Sequence, residues 1–112
     1  MEIALAKDFS DFLINRDEHQ NDGADNAVDF RRKFLADLDS KEWWEDATKQ
    51  VVINFDGVDT LAPSWANEAF AYYTKFCPDV SKVLSKIILK HVNIVHRSII
   101  ETEVKSGYQT RK

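Results

Sequence analysis

Six residues, Gln50 to Phe55, constrain this chain more than any others. Val51, Val52 and Ile53 are β-branched and favour an extended backbone, and Phe55 closes the apolar run. Charge lies on one side at Lys49 and a turn signal, Asp56-Gly57, on the other, which leaves the length of a strand and not of a helix. The run does not alternate strictly between polar and apolar, so the expected strand is buried on both faces. That is the central position of a parallel sheet.

The flanking segments agree with an α/β arrangement. Glu2 to Ala6 reads as an N-terminal strand, and Asp11 to Gly23 as a polar connection with a weakly signalled edge strand near Phe12–Arg16. Ala27, Phe30, Phe34, Leu35 and Leu38 then recur at spacings of three and four, an amphipathic helix with Asp25 or Asn26 as its N-cap. Asp39 to Lys49 reads as a polar connection interrupted by Trp43-Trp44. Beyond a loop over Gly57 to Pro63, a second helix carries Trp65, Ala66, Ala69, Phe70, Tyr73 and Phe76 on one face and ends before Pro78. A third strand falls within Val83 to Val92, clearest at Lys86 to Leu89. Asn93 then caps a last helix with Val95, Ile99, Ile100 and Val104 inward. The order β, loop, α, β, α, β, α predicts βαβ units in one domain over residues 1–112. That domain has a mixed or mostly parallel sheet of about four strands with helices packed against it, and a polar, frayed tail from about Ser106.

Composition narrows the function classes. With 15 basic and 19 acidic residues the net charge is −4, the wrong balance for a duplex-binding surface, so nucleic acid is not expected as the ligand. Cys77 is the one cysteine, which excludes an internal disulfide and an all-cysteine metal site. The N-terminus lacks the basic and apolar regions of a secretory signal, and no stretch has the length of a membrane span. A cytoplasmic protein without membrane association is the expectation.

Catalytic and metal patterns are missing from the sequence. His91 and His96 stand five apart with no cysteine or close carboxylate to complete a ligand set, and His19 is remote from both. Asp56 and Asp59 read as turn residues, and Arg31-Arg32-Lys33 as the solvated face of a helix. No glycine-rich phosphate loop and no nucleophile–base order occurs. The chain is expected to be no enzyme, to carry no cofactor and to work by binding a protein partner.

The informative segment is Val51 to Phe70, in which a strand runs through Asp56-Gly57 into a loop and Ser64 stands where the next helix begins. In open α/β sheets function collects beyond the carboxyl ends of strands, at helix starts with free N–H groups. The segment resembles the core of a bacterial STAS-like family of domains of unknown function, whose pattern is hydrophobic-Asp-Phe-x-Gly-Val, a loop, then Ser-Phe-x-x-Glu. Here Ile53-Asn54-Phe55-Asp56-Gly57-Val58 is followed by Ser64-Trp65-Ala66-Asn67-Glu68. Ala6 to Ser10, Arg16, Gly23 and Phe30-Arg31 match in the front half, so the resemblance runs from about Ile3 to Phe70. Asn54 stands for the usual Asp and Trp65 for the usual Phe.

That family is similar in turn to the anti-sigma-factor antagonists, which are phosphorylated on a serine at this helix start by a histidine-kinase-like ATPase. The resemblance places Ser64 at the phosphorylated position, with Ala62-Pro63 where the antagonists usually have Asp-Ser. It implies a regulatory interaction through Asp59, Thr60, Leu61, Pro63, Trp65 and Glu68, with such an ATPase as the partner. Phosphorylation would add about −1.5 to −2 charges beside Leu61, Pro63 and Trp65 and favour release. The plain alternative makes Ser64 the N-cap of the helix and Glu68 a first-turn carboxylate suited to the dipole. Two further readings stay open: a nucleotide or other anion sensed at the same helix start, and a homodimer joined at a sheet edge or at Trp43-Trp44. One of those adjacent rings is expected at the surface, which makes Trp44 a partner-contact candidate.

Overall fold

A computed structural model describes residues 2–109. The elements in chain order are β1 (Glu2–Ala4), a single turn α1 (Leu5–Asp8), β2 (Phe12–Leu13), α2 (Ala27–Phe34), α3 (Lys41–Glu45), β3 (Val51–Asn54), β4 (Thr60–Leu61), α4 (Pro63–Ala69), α5 (Val80–Lys86), β5 (Ile87–Lys90) and α6 (Ile94–Ser106). Short 3₁₀ turns follow α2 at Ala36–Leu38 and α4 at Ala71–Lys75.

The β-branched run forms the central strand, as its composition requires. The main sheet has the order β1-β3-β5, all parallel, with Ile3 level with Ile53 and Ile53 level with Leu89. Burial along β3 alternates: Val51, Ile53 and Phe55 are buried, Val52 and Asn54 half-buried. The expectation of two equally buried faces is thereby corrected, since only one face is fully enclosed. A second parallel pair joins β2, within the edge strand signalled near Phe12–Arg16, to β4, which lies in the segment expected to be loop. Ala62 N–H extends it by donating to Leu13 O (2.8 Å). Two-residue strands have no room for a hydrophobic period, which is why Thr60–Leu61 did not read as one.

Helix starts follow local capping chemistry. Asn26, not Asp25, caps α2 and accepts from Asp29 N–H. Asn93 caps α6 and accepts from His96 N–H. Ser40 and Asp79 cap α3 and α5, two short helices without a sequence signal of their own. Helix α3 lies in the expected connection, and α5 runs directly into β5, the strand expected within Val83 to Val92. The second long helix divides at Phe70, beyond which the 3₁₀ turn allows Phe70, Ala71 and Tyr73 all to be buried. On α6 the inward face is His96, Ile100 and Val104, one turn apart, which leaves Val95 outside at 62% exposure.

One core gathers Phe30 of α2, Trp65 of α4, Phe70 and the strand residues Ile3, Val51 and Ile53. Phe30 and Trp65 have ring centroids 5.1 Å apart. Helix α4 packs between α2 and α6, an arrangement that determines what its individual residues face. The tail expected to fray is tied down at Tyr108 and Gln109 by hydrogen bonds to α4. Its residues 110–112 lie outside the described residues.

Candidate functional site

The segment after β3 is pinned by short-range hydrogen bonds. Asp56 N–H donates to Asn54 Oδ1 (2.9 Å) and Val58 N–H to Phe55 O (3.0 Å), which turns the chain at Gly57. Gly57 has φ +85°, and a Cβ there would stand 3.2 Å from that of Ala6, so both conformation and space call for glycine. Asp59 and Thr60 N–H both donate to Asp11 O, and the Thr60 hydroxyl donates to Asp59 Oδ2. These bonds hold the segment against the front half of the chain.

Helix α4 then starts with Ala62 as N-cap and Pro63 in its first turn. Ser64 follows Pro63 inside the helix, which corrects the reading of it as the cap. Its side chain is half-buried, and its hydroxyl makes no hydrogen bond to any described residue. The first intrahelical bond runs from Ala66 N–H to Ala62 O (3.1 Å), so the N–H groups of Ser64 and Trp65 precede it. Pro63 and Asp59 are exposed and Thr60 is half-buried.

Four other expected contact residues lie inside the protein. Leu61 is a core residue on β4. Trp65 is fully buried against Phe30 and Phe70 and donates from Nε1 to Asp25 O (3.1 Å). Trp44 is also buried and donates to Leu38 O (2.8 Å), while Trp43 is the half-exposed ring of the pair. Adjacent residues on α3 diverge by about 100°, and the core took Trp44. Among these expected contacts, Leu61, Trp44 and Trp65 are corrected from surface to core.

Glu68 is likewise 4% exposed, two turns from the dipole's positive end, and its role is internal. Its Oε2 accepts from Arg31 Nε (3.1 Å) and Nη2 (2.7 Å), and its Oε1 accepts from Arg16 Nε (3.2 Å) and Tyr108 Oη (3.0 Å). The Arg31 guanidinium lies over the Tyr72 ring at 3.5 Å. Burial works against the Arg31 charge, and the hydrogen bonds and negative charge of Glu68 more than offset it, so its pKa rises. Burial first, then Glu68, raise the pKa of Tyr108. Arg31, read as part of a solvated helix face, is corrected to a buried residue at 7% exposure, because Glu68 supplies its partner. Arg16 matched the family pattern without an assigned role, and Asn67 and Tyr108 drew no functional reading. Arg31 and Glu68 lie 37 positions apart, and Arg16 and Glu68 lie 52 apart, beyond the reach of any local pattern.

Chemically, the Glu68 carboxylate is saturated with donors and serves as an anchor, while Ser64 offers an uncommitted hydroxyl. No group of three or more metal-ligating side chains occurs among the described residues. No helix among them is long and apolar enough to cross a membrane. A cavity of about 310 Å³ lies elsewhere, lined by Trp44, Phe76, Cys77 and Lys82 among others, and residues 56–68 contribute nothing to it.

A small parallel α/β domain with a pinned strand–loop–helix corner and a serine at that corner defines the class of protein. The chain belongs to the STAS-like family of domains of unknown function, whose model matches residues 26–94, more than half of its length. The match begins at the cap of α2 and runs through β3, α4 and β5, so it leaves out β1 and β2 and extends well past Phe70. Neither the curated proteins nor the solved structures gave a match.

Proposed function

We propose that this STAS-like domain is a regulatory protein-interaction module, not an enzyme, and that Ser64 at the start of α4 is its modifiable residue. The observation that carries the reading is the Ser64 side chain: half-buried in a rigid corner, with a hydroxyl bonded to no described residue. A residue that the fold does not use is free to be used by a partner.

The contact surface consists of the residues that remain outside, namely Asp59, Thr60, Pro63 and Ser64. It is smaller and less apolar than the sequence implied, since Leu61, Trp65 and Glu68 are withdrawn. A phosphoryl group on Ser64 adds about −1.5 to −2 charges to a corner that already carries Asp56 and Asp59. The added charge weakens binding to an acidic or apolar partner surface and strengthens binding to a basic one. By family resemblance the partner is a histidine-kinase-like ATPase that acts on the serine. Of the homodimeric alternative, joined at a sheet edge or at Trp43-Trp44, only the Trp44 contact is lost, because that ring is in the core.

The test is capture of the tagged protein from its native lysate, with mass spectrometry of Ser64 and of any stoichiometric companion. Affinity for that companion is then compared in Ser64→Asp and Ser64→Ala. A phosphorylated Ser64 and a change of affinity in Ser64→Asp alone support the proposal. Equal affinity of both variants and wild type refutes it.

A further inference from the structure

The tail that follows α6 occupies a site built from side chains of three other parts of the chain. The Asn67 side-chain amide donates to Gly107 O (3.0 Å) and accepts from Gln109 N–H (3.0 Å), so one amide spans the residue between them. Tyr108 N–H donates to Thr74 Oγ1 (3.3 Å), and Gln109 O accepts from Arg16. Four main-chain groups within residues 107–109 are thus read by side chains, an arrangement that recognises backbone whatever the flanking side chains are. Asn67 is 1% exposed and is positioned in turn by a bond to Glu103 Oε1 (3.1 Å).

One side chain of the tail is read specifically. The Tyr108 hydroxyl donates to the buried Glu68 carboxylate. Its ring meets Tyr72 edge-on at 5.1 Å and lies within 5.5 Å of the Arg16 and Lys75 cations. The residue before it is also specified: Gly107 has φ +84° and ψ +166°, a conformation confined in practice to glycine.

We propose that Arg16, Asn67, Glu68, Tyr72, Thr74 and Lys75 form a binding groove for an extended Gly-Tyr-x peptide, which the chain's own residues 107–109 close in cis. The partner is a protein segment with glycine before the tyrosine and a residue other than proline after it, since that N–H is required. The strap is displaceable for a physical reason. A peptide supplied in trans remakes each bond that the strap gives up, the tyrosine bond to Glu68 included, so the exchange leaves no buried polar group unpaired. Ordering three residues opposes the closed state. The groove lies on the inner half of α4 and does not depend on the fate of Ser64.

A blocked peptide with the sequence of residues 105–110 is the probe, titrated into the full chain and into full-length Tyr108→Ala by calorimetry and ¹⁵N NMR. Removal of the internal competitor is expected to tighten peptide binding by roughly tenfold or more, the factor for a site closed about nine-tenths of the time. The Asn67 side-chain amide should shift on binding, and peptides with alanine for the tyrosine or for the glycine should not bind. Failure of the peptide to bind Tyr108→Ala, equal binding to both proteins, or binding indifferent to the peptide's tyrosine overturns the proposal. If circular dichroism shows Tyr108→Ala unfolded, the wild-type chain is titrated to millimolar peptide. There the Gln109 amide must move toward its free-chain position, and a fixed Gln109 amide overturns the proposal equally.

Discussion

Glu68→Ala is the substitution that tests the internal architecture of α4 most severely. The wild-type carboxylate accepts four hydrogen bonds, two from Arg31, one from Arg16 and one from Tyr108, with both arginine side chains about nine-tenths buried. Its removal leaves two guanidiniums facing each other across the space it filled, in a setting too enclosed for water to replace it fully. Breaking a buried ion pair by deleting one partner costs about 3–5 kcal/mol. Against a total stability of about 5–15 kcal/mol, that is a large share. For a domain of this size it corresponds to a fall in Tm on the order of 10–20 °C. Glu68→Gln keeps the shape and one acceptor oxygen and should cost about half as much, because it removes the charge from bonds worth about 1.5–3 kcal/mol each. Urea unfolding followed by tryptophan fluorescence measures both, with the double mutant Arg31→Met/Glu68→Gln to extract the coupling. Raising NaCl to about 1 M should leave the wild-type value nearly unchanged, since screening acts on exposed pairs. A Glu68→Ala protein within about 1 kcal/mol of wild type would refute the argument, because a solvated surface pair is worth no more than that.

Ser64→Ala should change stability by less than about 0.5 kcal/mol, whereas Asn93→Ala, which removes the true cap of α6, should cost about 1 kcal/mol in the same urea assay. Trp44→Ala should cost about 3–5 kcal/mol, as a core tryptophan does, and Trp43→Ala distinctly less; equal losses would contradict the division between buried and half-exposed rings. Burial raises the Tyr73 pKa well above its ordinary value and, with help from Glu68, that of Tyr108. The unfolded chain releases these protons first, so stability should hold below pH 10 and fall as pH rises from there toward the raised values. Tyr73→Phe and Tyr108→Phe should each flatten that fall, and an unchanged slope in both would remove the assignment.

Much of the fold was legible because it is local. The run Val51–Ile53 announces a central strand by composition, Asn93 announces a helix by its capping chemistry, and the spacing of Ala27, Phe30 and Phe34 announces α2 by its period. Short elements were poorly legible: α3 and α5 are five and seven residues long, two residues form β4, and the two of β2 showed only as a weakly signalled edge strand. Such lengths hold less than two helical turns or a single strand alternation, too little for a pattern to rise above its surroundings. The corner at Ser64 was found through its motif, since a turn at Asp56-Gly57 and a helix start at Pro63 are encoded by adjacent residues.

The sequence by itself determined the parallel α/β class, the family pattern around Ile53 to Glu68, and the place of Ser64 at the head of a helix. Tertiary structure alone decided which residues of that segment face outward. Packing of α4 between α2 and α6 sends Trp65 into the core and Glu68 onto Arg16 and Arg31. It also places Asn67 under a tail 40 positions further along the chain. The physical reason is that a residue's direction on a helix follows from local geometry, whereas what lies in that direction depends on how distant elements dock.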